Sequence, residues 1–91
     1  MTKNAADLAP TVHLNGTSKD QLVAGFANQY EALTNALRCM ERYAPNLRDY
    51  YVRTDGPAKF CAAQDAHLER LRVIEQMRED IYAMLEKVQD Q

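Results

Sequence analysis

Long apolar runs are missing from this sequence of 91 residues, and so are tryptophan and any marked excess of charge of one sign. The opening stretch, MTKNAADLAPTVHLNGTS, lacks the apolar run of a signal peptide, and no later segment is apolar enough to span a bilayer. We therefore expect a cytoplasmic protein without a membrane partner. The 11 basic and 13 acidic residues leave a net charge of -2. This balance argues against a nucleic-acid partner, because such binding normally needs a basic face.

Cysteine and histidine are scarce, with two of each. Their spacing matches no metal-binding motif. We expect Cys39 and Cys61 to be reduced thiols that fill small buried gaps, and a disulfide between them is disfavoured by the expected reducing compartment. No nucleophile–base pair, glycine-rich phosphate loop or carboxylate dyad occurs at a usable spacing. The sequence therefore predicts neither an enzymatic activity nor a cofactor.

A first long helix is predicted over residues 18–44 by apolar positions that alternate three and four apart, the spacing of a coiled-coil seam. Asn15 and Gly16 form a turn before it, and Thr17 or Ser18 provides the N-cap. Gly25, inside the helix, is expected to mark a close helix approach. The seam positions are Val23, Phe26, Tyr30, Leu33, Leu37, Met40 and Ala44.

A second helix is predicted from about residue 56 to Val88, with Pro57 in its first turn. His67 is expected at the boundary of its apolar stripe, with a hydrogen bond. Charged residues of alternating sign, Glu69, Arg72, Glu75 and Arg78, are expected to face water. The apolar stripe itself is broad and comprises Leu68, Leu71, Ile74, Met77, Ile81, Met84, Leu85 and Val88.

The predicted fold is all-α, an antiparallel hairpin of two long helices over residues 18–91, preceded by an N-terminal arm over residues 1–17 whose first 12 residues are expected to be loose. A lone hairpin buries only one seam, and small domains rarely hold together on so little core. The broad stripe of the second helix therefore needs a further partner. We expect a homo-oligomer, a dimer or a larger assembly, that forms a helical bundle.

The connection between the helices, NLRDYYVRTDG, is the first candidate binding site. Arg48 and Arg53 offer planar donors for phosphate or carboxylate, and Tyr50 and Tyr51 offer aromatic faces for stacking. The alternative is a structural loop in which both tyrosines fold over the hairpin end and the arginines pair with neighbouring aspartates. The local positive balance and the length of the connection favour a ligand.

The segment HLNGTSK before the first helix is the second candidate site, because a helix N-terminus attracts anions. A plain capping box explains most of it equally well. In an antiparallel pair of hairpins, this segment of one chain would lie beside the connection of the other, which would create an intersubunit pocket. The candidate residues are His13, Asn15, Thr17, Ser18 and Lys19.

The strings VHLNGTSKDQL and APNLRDYYV resemble a group of small proteins encoded by bacteriophages and prophages. The group has no established activity, so the resemblance assigns no functional residue. It implies a phage protein that acts in the bacterial cytoplasm. Small phage proteins without catalytic motifs often act by binding, which favours an inhibitor of a host defence protein. The alternatives are a sponge that sequesters an anionic nucleotide signal and a scaffold in phage assembly.

Overall fold

The computed structural model describes residues 4–91, and over these residues the chain forms helices and no strand. A short 3-10 helix spans Ala5–Leu8, α1 spans Lys19–Arg42, a second 3-10 helix spans Leu47–Asp49, and α2 spans Gly56–Gln89. Because α1 and α2 pack along each other in opposite directions, the molecule is elongated, with extents of 64 × 28 × 17 Å. The all-α helical hairpin predicted from the sequence is confirmed.

The start of α1 follows its predicted capping residue. The Ser18 hydroxyl accepts a hydrogen bond from the Gln21 N–H at 3.2 Å, which satisfies one of the donors that a helix start leaves free. Tyr43 caps the other end of α1, just before the Pro45 that disfavours further helix. At the start of α2, Pro57 occupies the first turn as expected, but the Asp55 side chain makes no capping bond.

The face of α2 that contacts α1 contains most of the predicted stripe but is rotated relative to it. Leu68 and Met77, which belong to that stripe, are 57% and 43% exposed. His67 and Arg78, expected at its boundary and in water, lie on the inner face instead. The inner face repeats every three or four residues and consists of buried or half-buried positions: Phe60, Ala63, His67, Leu71, Ile74, Arg78, Ile81, Leu85 and Val88.

His67 is the buried polar residue of this inner face. Its side chain is 9% exposed, and its Nε2 atom has no hydrogen-bond partner among residues 4–91. His67 is therefore buried rather than at the boundary of the stripe, and the hydrogen bond expected of it does not form at Nε2. An unpaired buried polar atom costs free energy, which offsets part of what burial of the ring contributes.

The N-terminal arm is docked, so the expectation of a loose arm is wrong for its described residues; residues 1–3 lie outside them. Its 3-10 helix packs on α2. The side-chain amide of Gln91 accepts from the Val12 N–H at 2.7 Å and donates to the Pro10 carbonyl oxygen at 2.8 Å. This one amide satisfies two backbone groups of the arm at the far end of α2.

Two smaller expectations also fail. Cys39 and Cys61 are free thiols, as expected, but both are exposed rather than buried. A Cβ atom built at Gly25 would meet nothing within 4 Å outside the local helix. Gly25 therefore does not mark a close helix approach.

Candidate functional site

The connection between α1 and α2 is a folded loop. The Asn46 side chain accepts a hydrogen bond from the Arg48 N–H at 2.9 Å and caps the second 3-10 helix. The N–H groups of Tyr50 and Tyr51 both donate to the Leu47 carbonyl oxygen, at 2.9 and 3.0 Å. These short-range bonds fold the backbone of the loop, and its exposed side chains project from that folded backbone.

The two adjacent tyrosines have different environments. The half-buried ring of Tyr50 packs on Phe60 of α2, with ring centroids 6.0 Å apart and planes inclined by 60°. Tyr51 is 67% exposed. The sequence assigned both tyrosines to one role, but Tyr50 closes the hairpin end as a structural residue, and Tyr51 is free to contact a ligand.

The two arginines of the loop differ in the same way. Arg53 forms a two-point ion pair with Asp55, at 3.0 and 3.2 Å, and both side chains are about half exposed. Within residues 4–91, no carboxylate lies within 4 Å of the Arg48 guanidinium. Arg48 therefore keeps its full hydrogen-bonding capacity for an external anion, whereas Arg53 is already partly neutralised. We call the exposed side chains of Arg48, Tyr51 and Val52 the loop surface.

The segment before α1 is mostly exposed and partly occupied by local contacts. The His13 ring lies over Gly16, where an added Cβ atom would come within 2.6 Å of its Nε2 atom. Asn15 and Thr17 are exposed. Ser18 serves as the N-cap, and the Lys19 ammonium group donates to the main-chain oxygen of Gln91 at 2.8 Å. Local structure thus accounts for Ser18 and Lys19.

The two candidate segments lie at opposite ends of the hairpin. The 24 residues of α1 separate them by roughly 36 Å at 1.5 Å per residue. One chain does not bring them together, so a shared pocket requires a second copy. Within residues 4–91, no group of three His, Cys, Asp or Glu side chains is placed to hold a metal ion. None of the described helices combines the length and apolarity needed to cross a membrane.

A cluster missed by the sequence analysis lies midway along the hairpin. The Arg78 guanidinium sits 5.4 Å from the centroid of the Tyr30 ring, and its Nη1 atom donates to the Thr34 hydroxyl at 3.2 Å. The Tyr82 ring lies 5.8 Å from that of Tyr30. The sequence spacing could have indicated that Arg78 faces α1, because Arg78 falls on the same three-and-four repeat as Ile74 and Ile81. This cluster connects the two helices, and its Arg78 guanidinium is already engaged by Tyr30 and Thr34.

No protein-family model matches the chain, and no curated protein or solved structure matches it either. The similarity to phage-encoded proteins therefore remains a prediction that rests on two short strings.

Proposed function

We propose that this chain is a non-enzymatic binding protein that acts as a homo-oligomer and sequesters an anionic nucleotide at its loop surface. The observation that carries the proposal is Arg48, an exposed guanidinium with no carboxylate within 4 Å among residues 4–91, on the same ordered loop as the exposed ring of Tyr51. A guanidinium binds phosphate oxygens at two points. A tyrosine ring stacks on a nucleobase.

The neighbouring subunit completes this site in the proposal. Its segment from His13 to Lys19 would bring a helix N-terminus, whose positive dipole end favours phosphate, to the loop surface. The setting is the bacterial cytoplasm, as the similarity to phage proteins implies. Sequestration of a host signalling nucleotide would there suppress a defence response without any catalytic step.

A host defence protein is the second candidate ligand, and a different observation favours it. Leu68 and Tyr82, on α2, are 57% and 48% exposed. Exposed apolar residues on a helix are typical of surfaces that bind another protein. In this version the oligomer inhibits the host protein by covering it. We place the nucleotide first because the loop surface is cationic and aromatic, which matches an anion better than an apolar protein surface.

Titration calorimetry with cyclic and linear nucleotides tests the proposal. We expect one class of nucleotide to bind wild-type protein, and Arg48→Ala to weaken that binding by about 1.5–3 kcal/mol, as for loss of a charge-assisted hydrogen bond. Arg38→Ala is the matched control, because Arg38 is an exposed arginine of α1 that does not belong to the loop surface. Its affinity should equal that of wild type.

If no nucleotide gives a heat of binding, the proposal that the protein sequesters a nucleotide is rejected. Capture of one host protein by wild type, and its loss with replacements at Leu68 and Tyr82, would then support the inhibitor. If capture depends instead on Arg48, the loop surface is a protein-binding surface.

A further inference from the structure

Beside its inner face, α2 carries a second row of positions that alternate four and three apart. Val73 and Met77, the apolar pair at its centre, are 50% and 43% exposed. This spacing is typical of a helix that packs on another helix. The row covers roughly 27 Å of helix at 1.5 Å per residue. We call it the outer seam; it consists of Ala66, Arg70, Val73, Met77, Asp80 and Met84.

Two open hollows lie on either side of the ridge that Val73 and Met77 form. One hollow, of about 420 Å³, lies between the helices and is lined by Gln29, Ala32, Leu33, Met77, Asp80 and Ile81. The other, of about 240 Å³, is lined by Arg72, Val73, Gln76 and Met77. A ridge flanked by hollows is the surface that receives the side chains of a facing helix.

The charges of the outer seam are unpaired within the described chain. Among residues 4–91, Arg70 has no carboxylate within 4 Å, and Asp80 has no cationic nitrogen within that distance. Asp80 accepts only a hydrogen bond from the Gln76 amide, at 3.0 Å. The seam therefore offers one cation and one anion, placed symmetrically five residues before and five residues after Glu75.

We propose that the outer seam binds the outer seam of a second copy of this chain, antiparallel, with a two-fold axis at the level of Glu75. This inference rests on the homo-oligomer of the proposed function and names its interface. Every position in this arrangement meets a partner of opposite charge or matching apolar character. Arg70 of each copy faces Asp80 of the other, Val73 faces Met77, and Ala66 faces Met84.

The charges select both the direction and the register. In a parallel pair, Arg70 would face Arg70 of the other copy, and Asp80 would face Asp80. Both pairs of like charges would repel each other. An antiparallel pair shifted by one heptad in either direction places Arg70 against Lys87 or Val73 of the other copy. Only the register centred at Glu75 pairs both charges and keeps apolar residues in contact with apolar residues.

The same register completes the proposed ligand site. Residue 59 of one copy lies level with residue 91 of the other, because both are sixteen residues from the two-fold axis at Glu75. Because Lys19 is bonded to Gln91, the segment before α1 accompanies that end of α2. The interface thus brings the helix start of one copy toward the loop surface of its neighbour.

Charge reversal tests the interface, with sedimentation equilibrium as the measurement. Arg70→Glu and Asp80→Arg should each raise the dissociation constant of the assembly by about tenfold or more, because two attractive pairs become repulsive. The double variant R70E/D80R rebuilds both pairs with opposite polarity. Its dissociation constant should return to within about threefold of wild type. Arg38→Glu, an equal charge change on α1, is the control.

The outcomes separate this interface from the oligomer itself. An assembly that both single reversals leave as stable as the Arg38→Glu control, or that the double variant fails to restore, overturns the outer-seam interface and leaves the oligomer intact. A wild-type protein that is monomeric throughout the micromolar range overturns both. Loss of helix content in a single variant is distinguished from dissociation by circular dichroism, and recovery in the double variant then still supports the pairing.

Discussion

Gly56 lies directly beneath the main-chain oxygen of Tyr50, so close that a Cβ atom at residue 56 would collide with that oxygen. Gly56 is buried at the first position of α2, where the loop turns into the helix. The absence of a side chain therefore allows the loop to lie on the helix start, and the same contact sets the position of the loop surface.

The glycine contact gives the first prediction. Gly56→Ala should lower the free energy of unfolding by about 1–3 kcal/mol, because the loop backbone must move to make room for the methyl group. Gly25→Ala is the matched control in the same chain. Its new methyl group meets nothing within 4 Å, so it should raise stability by about 0.5–1 kcal/mol through helix propensity and reduced freedom of the unfolded chain. Urea unfolding measures both. Equal effects of the two substitutions would contradict the close contact at Gly56.

The second prediction separates the two tyrosines of the loop. Tyr50→Ala should lower stability by about 1–3 kcal/mol, because a half-buried ring loses its contact with Phe60. Tyr51→Ala should change stability by less than about 0.5 kcal/mol, since its ring is mostly in water. Ligand binding should show the reverse order once it is corrected for the folded fraction. A Tyr51→Ala variant that melts early but binds normally would make the loop a structural lid.

The third prediction concerns the cluster around Arg78. Arg78→Ala should lower the free energy of unfolding by about 1–2 kcal/mol, because it removes both the cation–π contact with Tyr30 and the hydrogen bond to Thr34. Thr34→Val removes only the hydrogen bond and should have a smaller effect. The double variant should show coupling between the two sites in a thermodynamic cycle. Strict additivity would mean that the Arg78–Thr34 bond contributes nothing to folding.

The fourth prediction concerns the unpaired nitrogen of His67. His67→Met should raise the free energy of unfolding by about 1 kcal/mol, because an apolar side chain of comparable length removes the desolvated polar atom and keeps the volume filled. His67→Ala should destabilise, since it leaves a cavity. Thermal unfolding of both variants at neutral pH provides the measurement. If His67→Met destabilises as much as His67→Ala, the His67 Nε2 atom makes a hydrogen bond in solution to a group outside this chain.

The helix boundaries were predictable because their determinants are local. Ser18 and Pro57 act within one turn of chain, and the seam of α1 follows from its own periodicity. The candidate loop was also visible, since its arginines and tyrosines stand out from ordinary turn residues. The different roles of Tyr50 and Tyr51 were not visible, because they depend on Phe60, which lies beyond the loop and meets only one of the two rings.

The rotation of α2 against α1 depends on tertiary packing. Apolar residues cover a wide arc of α2, so periodicity permits several inner faces. The face that contacts α1, for example through Arg78 with Tyr30 and Thr34, places His67 inside and leaves Met77 exposed.

The docked arm has a similar cause. Its hydrogen bonds to Gln91 span 79 and 81 residues of chain. Local propensity and hydrophobic spacing determine the all-α class and the helix ends, since these features depend on residues within a few helical turns of each other. The packed face and the position of the arm arise from residues that meet only after the hairpin closes.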